Sequence, residues 1–243
     1  MTGKRYARSG MAERVRQLCR RVDFLALLTA LRLRGHLPGV AELRRTTLIE
    51  LGPGPTRLAA LKRRIFARVI FLDQSDFGVP DPGLRLANFE QMEDVEQMLA
   101  GWCGLDSATA VLFTADHCLE HVSEGKLLAF LGSLARSGHA GCFRVPNTLS
   151  ARGLHSFQND ATHRTAFEPE LRSRLESMGF AIFPWMRWYR PLLLMNAMLG
   201  RGAWMKHAEE IVLCVPAFRA RGRERVWAAG GQALRHNSSR PEL

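Results

Sequence analysis

The stretch that decides the fold covers residues 46–77 and reads TTLIELGPGPTRLAALKRRIFARVIFLDQSDF. It opens with a short apolar run at 47–51, which is typical of a buried strand, and a Gly-Pro-Gly turn follows at 52–54. Because glycine has no Cβ, the chain can turn sharply there and a ligand can approach the backbone. The pattern then predicts a helix over 58–65 and a second strand over 67–72. Strand, glycine turn, helix and strand in this order indicate a site for a nucleotide cofactor.

A carboxylate stands near the end of each strand, and the residues of the turn help to separate two classes of cofactor. Glu50 precedes the turn, and Asp73 follows the second strand, where its two acceptor oxygens can bind a ribose diol. A dinucleotide site requires G-x-G-x-x-G to bring a helix N-terminus to the pyrophosphate, but Arg57 occupies the third glycine position. Pro53 and Pro55 also lack the amide N–H that would bind phosphate. The turn is therefore unfavourable for a dinucleotide.

The E-x-G-x-G pattern at 50–54 resembles motif I of the class I S-adenosylmethionine-dependent methyltransferases. Later segments resemble the family in the expected order: a strand at 109–116, HCLEHV at 117–122, a strand ending in VPN at 141–147, NDATH at 159–163, Phe167, the Gly-Phe at 179–180, and a last, antiparallel strand at 209–215. The resemblance covers roughly residues 45–217. It implies a Rossmann-like, doubly wound α/β fold with a mostly parallel seven-stranded sheet, and S-adenosylmethionine as the cofactor.

The resemblance also implies which residues contact the cofactor. They belong to motif I and to the ends of the second and fourth strands: Glu50, Gly52, Gly54, Asp73, Gln74, Asp116 and His117. For Asp116, a structural role in its loop is an equal alternative. The third strand should lie within 84–94 and bring an acid or amide near the adenine. Four residues compete for that contact: Glu90, Gln91, Glu93 and Asp94.

Methyl transfer from a sulfonium depends mainly on an acceptor atom that is held close to the methyl carbon and shielded from water. A base is required only for a hydroxyl acceptor, and histidine is suited to this because it titrates near neutral pH. Four histidines lie on segments that rim the pocket in the family's fold: His117, His121, His155 and His163. We expect His163 to be the catalytic base and His121 to be the second catalytic residue. For His163, a structural role in its loop is an equal alternative.

The spacing of His117, Glu120 and His121 suggests a metal site as well. At i, i+3 and i+4 they would share one helix face, and His163 follows a strand later. The set resembles the E-x-x-E-H and distant histidine of small-RNA 2′-O-methyltransferases and ubiquinone-pathway O-methyltransferases, in which a divalent ion activates the acceptor hydroxyl. His117 stands where those families have glutamate. In metal-free family members the L-E-H-V residues open a helix and pack, which is the alternative here.

Length and composition indicate one globular domain. The chain has 243 residues, of which 47% are hydrophobic, enough for a sizeable core in a single unit. We expect a loose N-terminus (1–10), an N-terminal helical cover (11–45), the S-adenosylmethionine-binding domain (46–217) and a basic C-terminal segment (218–243). The longest apolar run near the N-terminus is too short for the roughly 20 residues that span a bilayer. Five widely spaced cysteines predict reduced thiols and a cytoplasmic location.

Two sets of apolar side chains each have two interpretations. Residues 11–34 predict an amphipathic helix that ends at Gly35, with a buried face formed by Val15, Leu18, Cys19, Val22, Leu25 and Leu28. In the family such helices often cover the substrate pocket, and simple packing on the sheet is the alternative. An aromatic group could line the acceptor pocket or belong to the core: Phe183, Trp185, Trp188 and Tyr189.

The formal net charge of +11 raises the question of nucleic acid, because a basic surface attracts phosphate. The arginines are scattered, however, and no recognised nucleic-acid-binding module accompanies them. We therefore expect an S-adenosylmethionine-dependent methyltransferase whose acceptor is a small molecule or a carrier-bound intermediate. The positive charge of the protein would favour an anionic acceptor. The expected acceptor atom is oxygen rather than nitrogen, in a hydroxyl of a sugar, glycan or natural-product intermediate. Two alternatives stay open: an RNA methyltransferase, and a degenerate, non-catalytic partner protein of the same fold.

Overall fold

The computed structural model describes residues 10–33, 35–37, 39–54, 58–76, 81–91, 93–106, 108–185 and 210–215. Its strands are β1 (Thr47–Leu51), β2 (Arg68–Asp73), β3 (Leu84–Leu86), β4 (Val111–Asp116), β5 (Ala140–Pro146), β6 (Ala181–Trp185) and β7 (Glu210–Val215). Its α-helices are α1 (Gly10–Leu33), α2 (Val40–Leu43), α3 (Ala59–Ile65), α4 (Val95–Met98), α5 (Glu124–Ser137), α6 (Ala151–Gln158) and α7 (Pro169–Ser177). Residues 1–9 of the expected loose N-terminus, the basic C-terminal segment, Trp188 and Tyr189 lie outside the described residues.

The described strands form one sheet in the order β3-β2-β1-β4-β5-β7-β6. Neighbours from β3 to β5 pair in parallel, and β7 pairs antiparallel with both β5 and β6. The predicted doubly wound, mostly parallel seven-stranded sheet and its antiparallel last strand are therefore confirmed. Strand order reverses between β1 and β4, and ligands of open α/β sheets bind outside the carboxyl ends of the strands at such a reversal.

The inner strands of the sheet are buried on both faces, which explains why they are mostly apolar. Every residue of β1 and β5 is buried. One face packs against α4, α5 and α7, with Ile49, Val95 and Phe130 in its core. The other face packs against α1, with Leu48 and Leu31 in its core. Helices therefore pack on both faces of the sheet that carries the candidate site.

Helix α1 forms where predicted, but the prediction of its buried face is largely wrong. Leu28 is buried, whereas Val15, Leu18, Val22 and Leu25 are 43–60% exposed. Along the described side chains of α1, burial begins only at Asp23, and the face that then meets the sheet carries Leu27, Leu28 and Leu31. The helix has two apolar faces, and helical spacing does not tell which of them packs.

Several element boundaries differ from the sequence-based expectation by one or two residues. The third strand is short, Leu84–Leu86, and a turn of 3-10 helix at Phe89–Gln91 follows it. The prediction of a helix opening at 117–122 is wrong, because Leu119–His121 form a single 3-10 turn and α5 begins at Glu124.

Among the described residues, no helix combines the length and the apolar character needed to cross a bilayer.

Candidate cofactor and acceptor site

The glycine turn after β1 contacts both neighbouring strand ends. Gly52 and Gly54 have φ angles of 59° and 62°, in the left-handed region that favours glycine. A Cβ at Gly52 would lie 2.6 Å from the Sγ of Cys118, so the turn can pack this closely on the segment after β4 only with glycine. A Cβ at Gly54 would meet no atom within 4 Å among the described residues, which leaves room for a ligand beside the turn.

Asp73, at the end of β2, stabilises this turn. Its Oδ2 accepts a hydrogen bond from the backbone N–H of Gly54 at 3.1 Å, and its Oδ1 accepts one from the N–H of Ser75 at 3.3 Å. The residue is only 5% exposed. Each carboxylate oxygen has further acceptor capacity after one such bond, so Asp73 can also bind a ribose hydroxyl.

The motif I acid, Glu50, is buried and forms an ion pair with Lys62 of α3. Burial raises the pKa of Glu50 above its usual value, and the Lys62 ammonium opposes this by favouring the carboxylate. The Lys62 Nζ also lies 5.1 Å and 5.8 Å from the ring centroids of Phe24 and Phe71, within the range of cation–π contacts. Sequence reasoning missed Lys62, although an ammonium group on the helix after motif I was visible in LAALK.

A buried arginine connects the end of β4 with helix α1. Arg144 of β5 lies opposite Asp116 in the sheet and forms ion pairs with Asp116 and with Asp23 of α1. Burial would lower the pKa of Arg144, but the carboxylates of Asp116, Glu210 and Asp23 raise it above its usual value. Asp23 also accepts a hydrogen bond from Nε1 of Trp185 at 3.4 Å. Asp116 therefore forms a structural ion pair in addition to the cofactor contact that the sequence predicts for it.

His117 follows β4 with a φ of 54°, an uncommon backbone conformation for a residue with a side chain. Its Nδ1 lies 3.1 Å from Glu120 Oε1, and its Nε2 lies 2.8 Å from Glu210 Oε1. Burial is the largest single effect and would lower the pKa of His117. Hydrogen bonds and charge from the two glutamates outweigh it and raise the pKa to about 10. In the protonated ring both nitrogens donate, one to each glutamate.

The other three residues of the proposed metal set do come together. Ligand atoms of Glu120, His121 and His163 all lie within 4.8 Å of one another. Glu120 is fully buried, and its Oε2 has no hydrogen-bond partner among the described residues. Because a buried carboxylate oxygen without a partner is costly, this atom is suited to a cation. His117 lies next to this set and contacts it through Glu120. The helix face predicted for His117, Glu120 and His121 is wrong, because Leu119–His121 form a 3-10 turn that His117 precedes.

The orientation of the two histidines comes from helix α6 and from the loop that precedes α7. His163 Nδ1 lies 2.8 Å from the carbonyl oxygen of Phe157, to which it donates, and the lone pair of a neutral ring is then on Nε2. That Nε2 lies 3.9 Å from Glu120 Oε1. His121 Nδ1 forms a hydrogen bond with Thr162 Oγ1 at 2.9 Å. The ring centroids of His121 and His163 are 4.6 Å apart, so both side chains face one small region.

Other predicted residues lie elsewhere or have a structural partner. Gln74 is exposed after β2. Asp94 caps α4 by accepting the N–H of Gln97 at 2.8 Å, and this backbone hydrogen bond is the main reason that its pKa is lowered. His155 is exposed on α6 and bonds with Asn159. Phe183 and Trp185 are 6–7% exposed and pack in the core on the α1 side of the sheet.

No protein-family model and no curated protein sequence matches the chain. Similar solved structures include an S-adenosylmethionine-dependent methyltransferase from Archaeoglobus fulgidus, at 14% identity and a TM-score of 0.48, which covers 77% of this chain and 92% of that one. Another, from Mesorhizobium loti, has 14% identity and a TM-score of 0.48 and covers 75% and 94%. A DhpI complex with S-adenosylhomocysteine has 17% identity and a TM-score of 0.44 and covers 86% and 92%.

The chain's own features give the conclusion at the level of the fold. The strand order, the antiparallel β7 between β5 and β6, and the E-x-G-x-G turn at the end of β1 occur together. With these features, the chain has the fold of the class I S-adenosylmethionine-dependent methyltransferases.

Proposed function

We propose that the protein is a methyltransferase that binds S-adenosylmethionine and methylates a hydroxyl group of a small molecule, such as a sugar, glycan or natural-product intermediate. The observation that carries the proposal is the hydrogen bond between Gly54 and Asp73. It joins the motif I turn, at the end of β1 next to the reversal of strand order, to a buried carboxylate at the end of the neighbouring strand β2. This juxtaposition suits a ligand with a ribose and without a pyrophosphate.

The cofactor supplies a methyl group on a positively charged sulfur. The residues that would hold it are the Gly52–Gly54 turn, by close backbone approach, and Asp73, by accepting ribose hydroxyls. The buried Glu50–Lys62 pair joins β1 to α3 and would thereby stabilise the turn between them rather than contact the ligand directly. Asp116 would contribute through its exposed edge, since its side chain is 46% exposed despite the ion pair with Arg144.

The three residues Glu120, His121 and His163 support oxygen rather than nitrogen as the acceptor. A hydroxyl must lose its proton when it is methylated, and this cluster offers two ways to assist. His163 can accept the proton at Nε2, because its Nδ1 is engaged with a backbone carbonyl. Alternatively, the three residues would hold a divalent cation, which lowers the pKa of a bound hydroxyl. The buried Oε2 of Glu120 fits a cation by its chemistry.

One assay tests the proposal. The purified protein is incubated with S-adenosylmethionine and a panel of hydroxylated sugars, phenols, carrier-linked acceptors and RNA, and release of S-adenosylhomocysteine is measured with and without EDTA. Cofactor affinity is measured in parallel by calorimetry. We expect micromolar binding and acceptor-dependent release. Binding without release across the panel would refute the hydroxyl acceptors tested, release only with RNA would make RNA the acceptor, and no binding would indicate a degenerate, non-catalytic protein.

A further inference from the structure

An exposed apolar stripe runs along α1 on the side that faces away from the sheet. It consists of Val15, Leu18, Val22 and Leu25, which follow one another at intervals of three, four and three residues. With about 3.6 residues per turn, these intervals place all four on one side of the helix. They are 55%, 60%, 48% and 43% exposed. Scattered exposed apolar residues are ordinary, but an ordered row of large ones indicates a contact surface.

The stripe is distinct from the face by which α1 packs in the domain. Val22 and the fully buried Leu31 are nine residues apart, which is about two and a half turns and therefore opposite sides of the helix. The inner side also carries Asp23, which is paired with Arg144. The domain core thus accounts for one apolar face of α1 and leaves the other exposed.

Arginines flank the stripe along one edge. Arg14, Arg21 and Arg32 are exposed and are separated by seven and eleven residues, close to two and three whole turns. They therefore align next to the apolar row. An apolar stripe bordered by arginine is the pattern of a helix that lies in the interface of an anionic membrane, with its apolar side chains among the acyl chains.

Charge distinguishes an anionic membrane from two other partners that could cover the stripe, a second copy of the chain and RNA. A second copy of the chain would bring another row of arginines and a formal net charge of +11 to the same contact, so the two copies would repel each other. RNA would pair with the arginines but would leave the four apolar side chains in water. An anionic lipid surface satisfies both features at once, since headgroups attract the arginines and acyl chains accept the stripe.

We propose that α1 docks the protein on an anionic membrane surface through Val15, Leu18, Val22 and Leu25, with Arg14, Arg21 and Arg32 at the headgroups. This inference does not depend on the proposed methyl transfer. Membrane docking nevertheless bears on the proposed methyl transfer, because Asp23 on the inner side of the same helix pairs with Arg144 beside the candidate site. Docking would bring that site close to the lipid surface and to acceptors that are embedded in it.

The test measures binding of the full-length protein to vesicles by flotation. Vesicles contain phosphatidylcholine alone or with one third phosphatidylglycerol, and the protein is wild type, Leu18→Glu, Leu25→Glu, Arg21→Gln or Val40→Glu. Val40 of α2 is 48% exposed and lies off the stripe, so Val40→Glu matches the change in charge and the loss of an exposed apolar side chain. Circular dichroism melting and cofactor affinity verify that each variant is folded.

We expect binding to the anionic vesicles only, weakened by salt. Leu18→Glu and Leu25→Glu should each weaken it by about 20-fold, since loss of apolar insertion adds to repulsion, whereas Val40→Glu should lose less than about fivefold. Arg21→Gln should lose about fivefold. Absence of wild-type binding, or equal losses in Leu18→Glu and Val40→Glu, would overturn the proposal. A wild-type dimer in sedimentation that Leu18→Glu makes monomeric would replace it with self-association, and equal Leu18-dependence of RNA binding would replace it with RNA.

Discussion

Replacement of His117 by glutamine tests the charged network beside the candidate site. The ring lies between two buried carboxylates, Glu120 and Glu210, which are 0% and 1% exposed. Glutamine removes the positive charge and leaves the two carboxylates without a compensating cation from this position. Breaking a buried ion pair by removing one partner costs about 3–5 kcal/mol of the free energy of unfolding. We expect a loss in that range at pH 7.

The pH dependence of stability gives an independent estimate of the same contribution. The pKa of His117 rises from 6.5 to about 10 in the folded chain, a difference that corresponds to about 5 kcal/mol. Because the folded-state pKa is raised, the protonated ring contributes its full stabilisation below about pH 6.5. That stabilisation is lost as the pH rises through about 10.

The assay is urea unfolding of the wild type and His117→Gln at several pH values between 6 and 10. The wild type should lose stability over this window more steeply than the variant, so the two curves should converge at high pH. Groups that do not contact His117 titrate alike in both proteins and cancel in the difference. Parallel curves, or a His117 ring that NMR finds neutral at pH 7, would refute the argument that the two glutamates keep it charged.

Three further predictions concern the cofactor and the acceptor. Gly52→Val should abolish S-adenosylmethionine binding in calorimetry, because a Cβ there would lie 2.6 Å from Cys118 Sγ and the φ of 59° resists a β-branched residue; undiminished affinity would remove motif I from the argument. Asp73→Ala should weaken cofactor binding by about 1–3 kcal/mol through lost hydrogen bonds to a charged group, and equal affinity for NAD in the wild type would contradict the choice of cofactor. His163→Ala should lower the turnover rate by about 10²- to 10⁴-fold with nearly unchanged cofactor affinity. If a cation is bound, Glu120→Ala and EDTA should reproduce that loss, whereas full activity after chelation would leave His163 as a base alone.

The sequence by itself determined the fold, because the features that specify it are local. Strands buried on both faces of a parallel sheet are mostly apolar, as 47–51 are apart from Thr47 and Glu50 and as 67–72 are apart from Arg68. The Gly-Pro-Gly turn directly after the first strand marks the place where the chain turns sharply, because glycine has no Cβ. The segments that resemble the methyltransferase family occur in the order in which the strands follow one another. Each of these signals depends on a few neighbouring residues and can be read without knowledge of the remaining chain.

Only the tertiary structure decided the partners of the charged side chains. Lys62 pairs with Glu50 twelve positions away, His117 with Glu210 across 93, and Arg144 with Asp23 across 121. Sequence periodicity carries no information about such distant pairs, because they exist only once the strands are aligned. For this reason the sequence pointed to His117 as a metal ligand but not to its contacts in space, where its ring nitrogens meet Glu120 and Glu210 and its pKa is raised.

The same limit applies to helix α1. Its spacing correctly indicated a helix with apolar side chains at regular intervals, since that depends on the helix alone. It could not show that Leu27, Leu28 and Leu31 would meet the sheet while Val15 and Leu18 would remain exposed. Which face of a two-faced helix is buried depends on the surface against which it packs, and that surface is formed by strands far away in the chain.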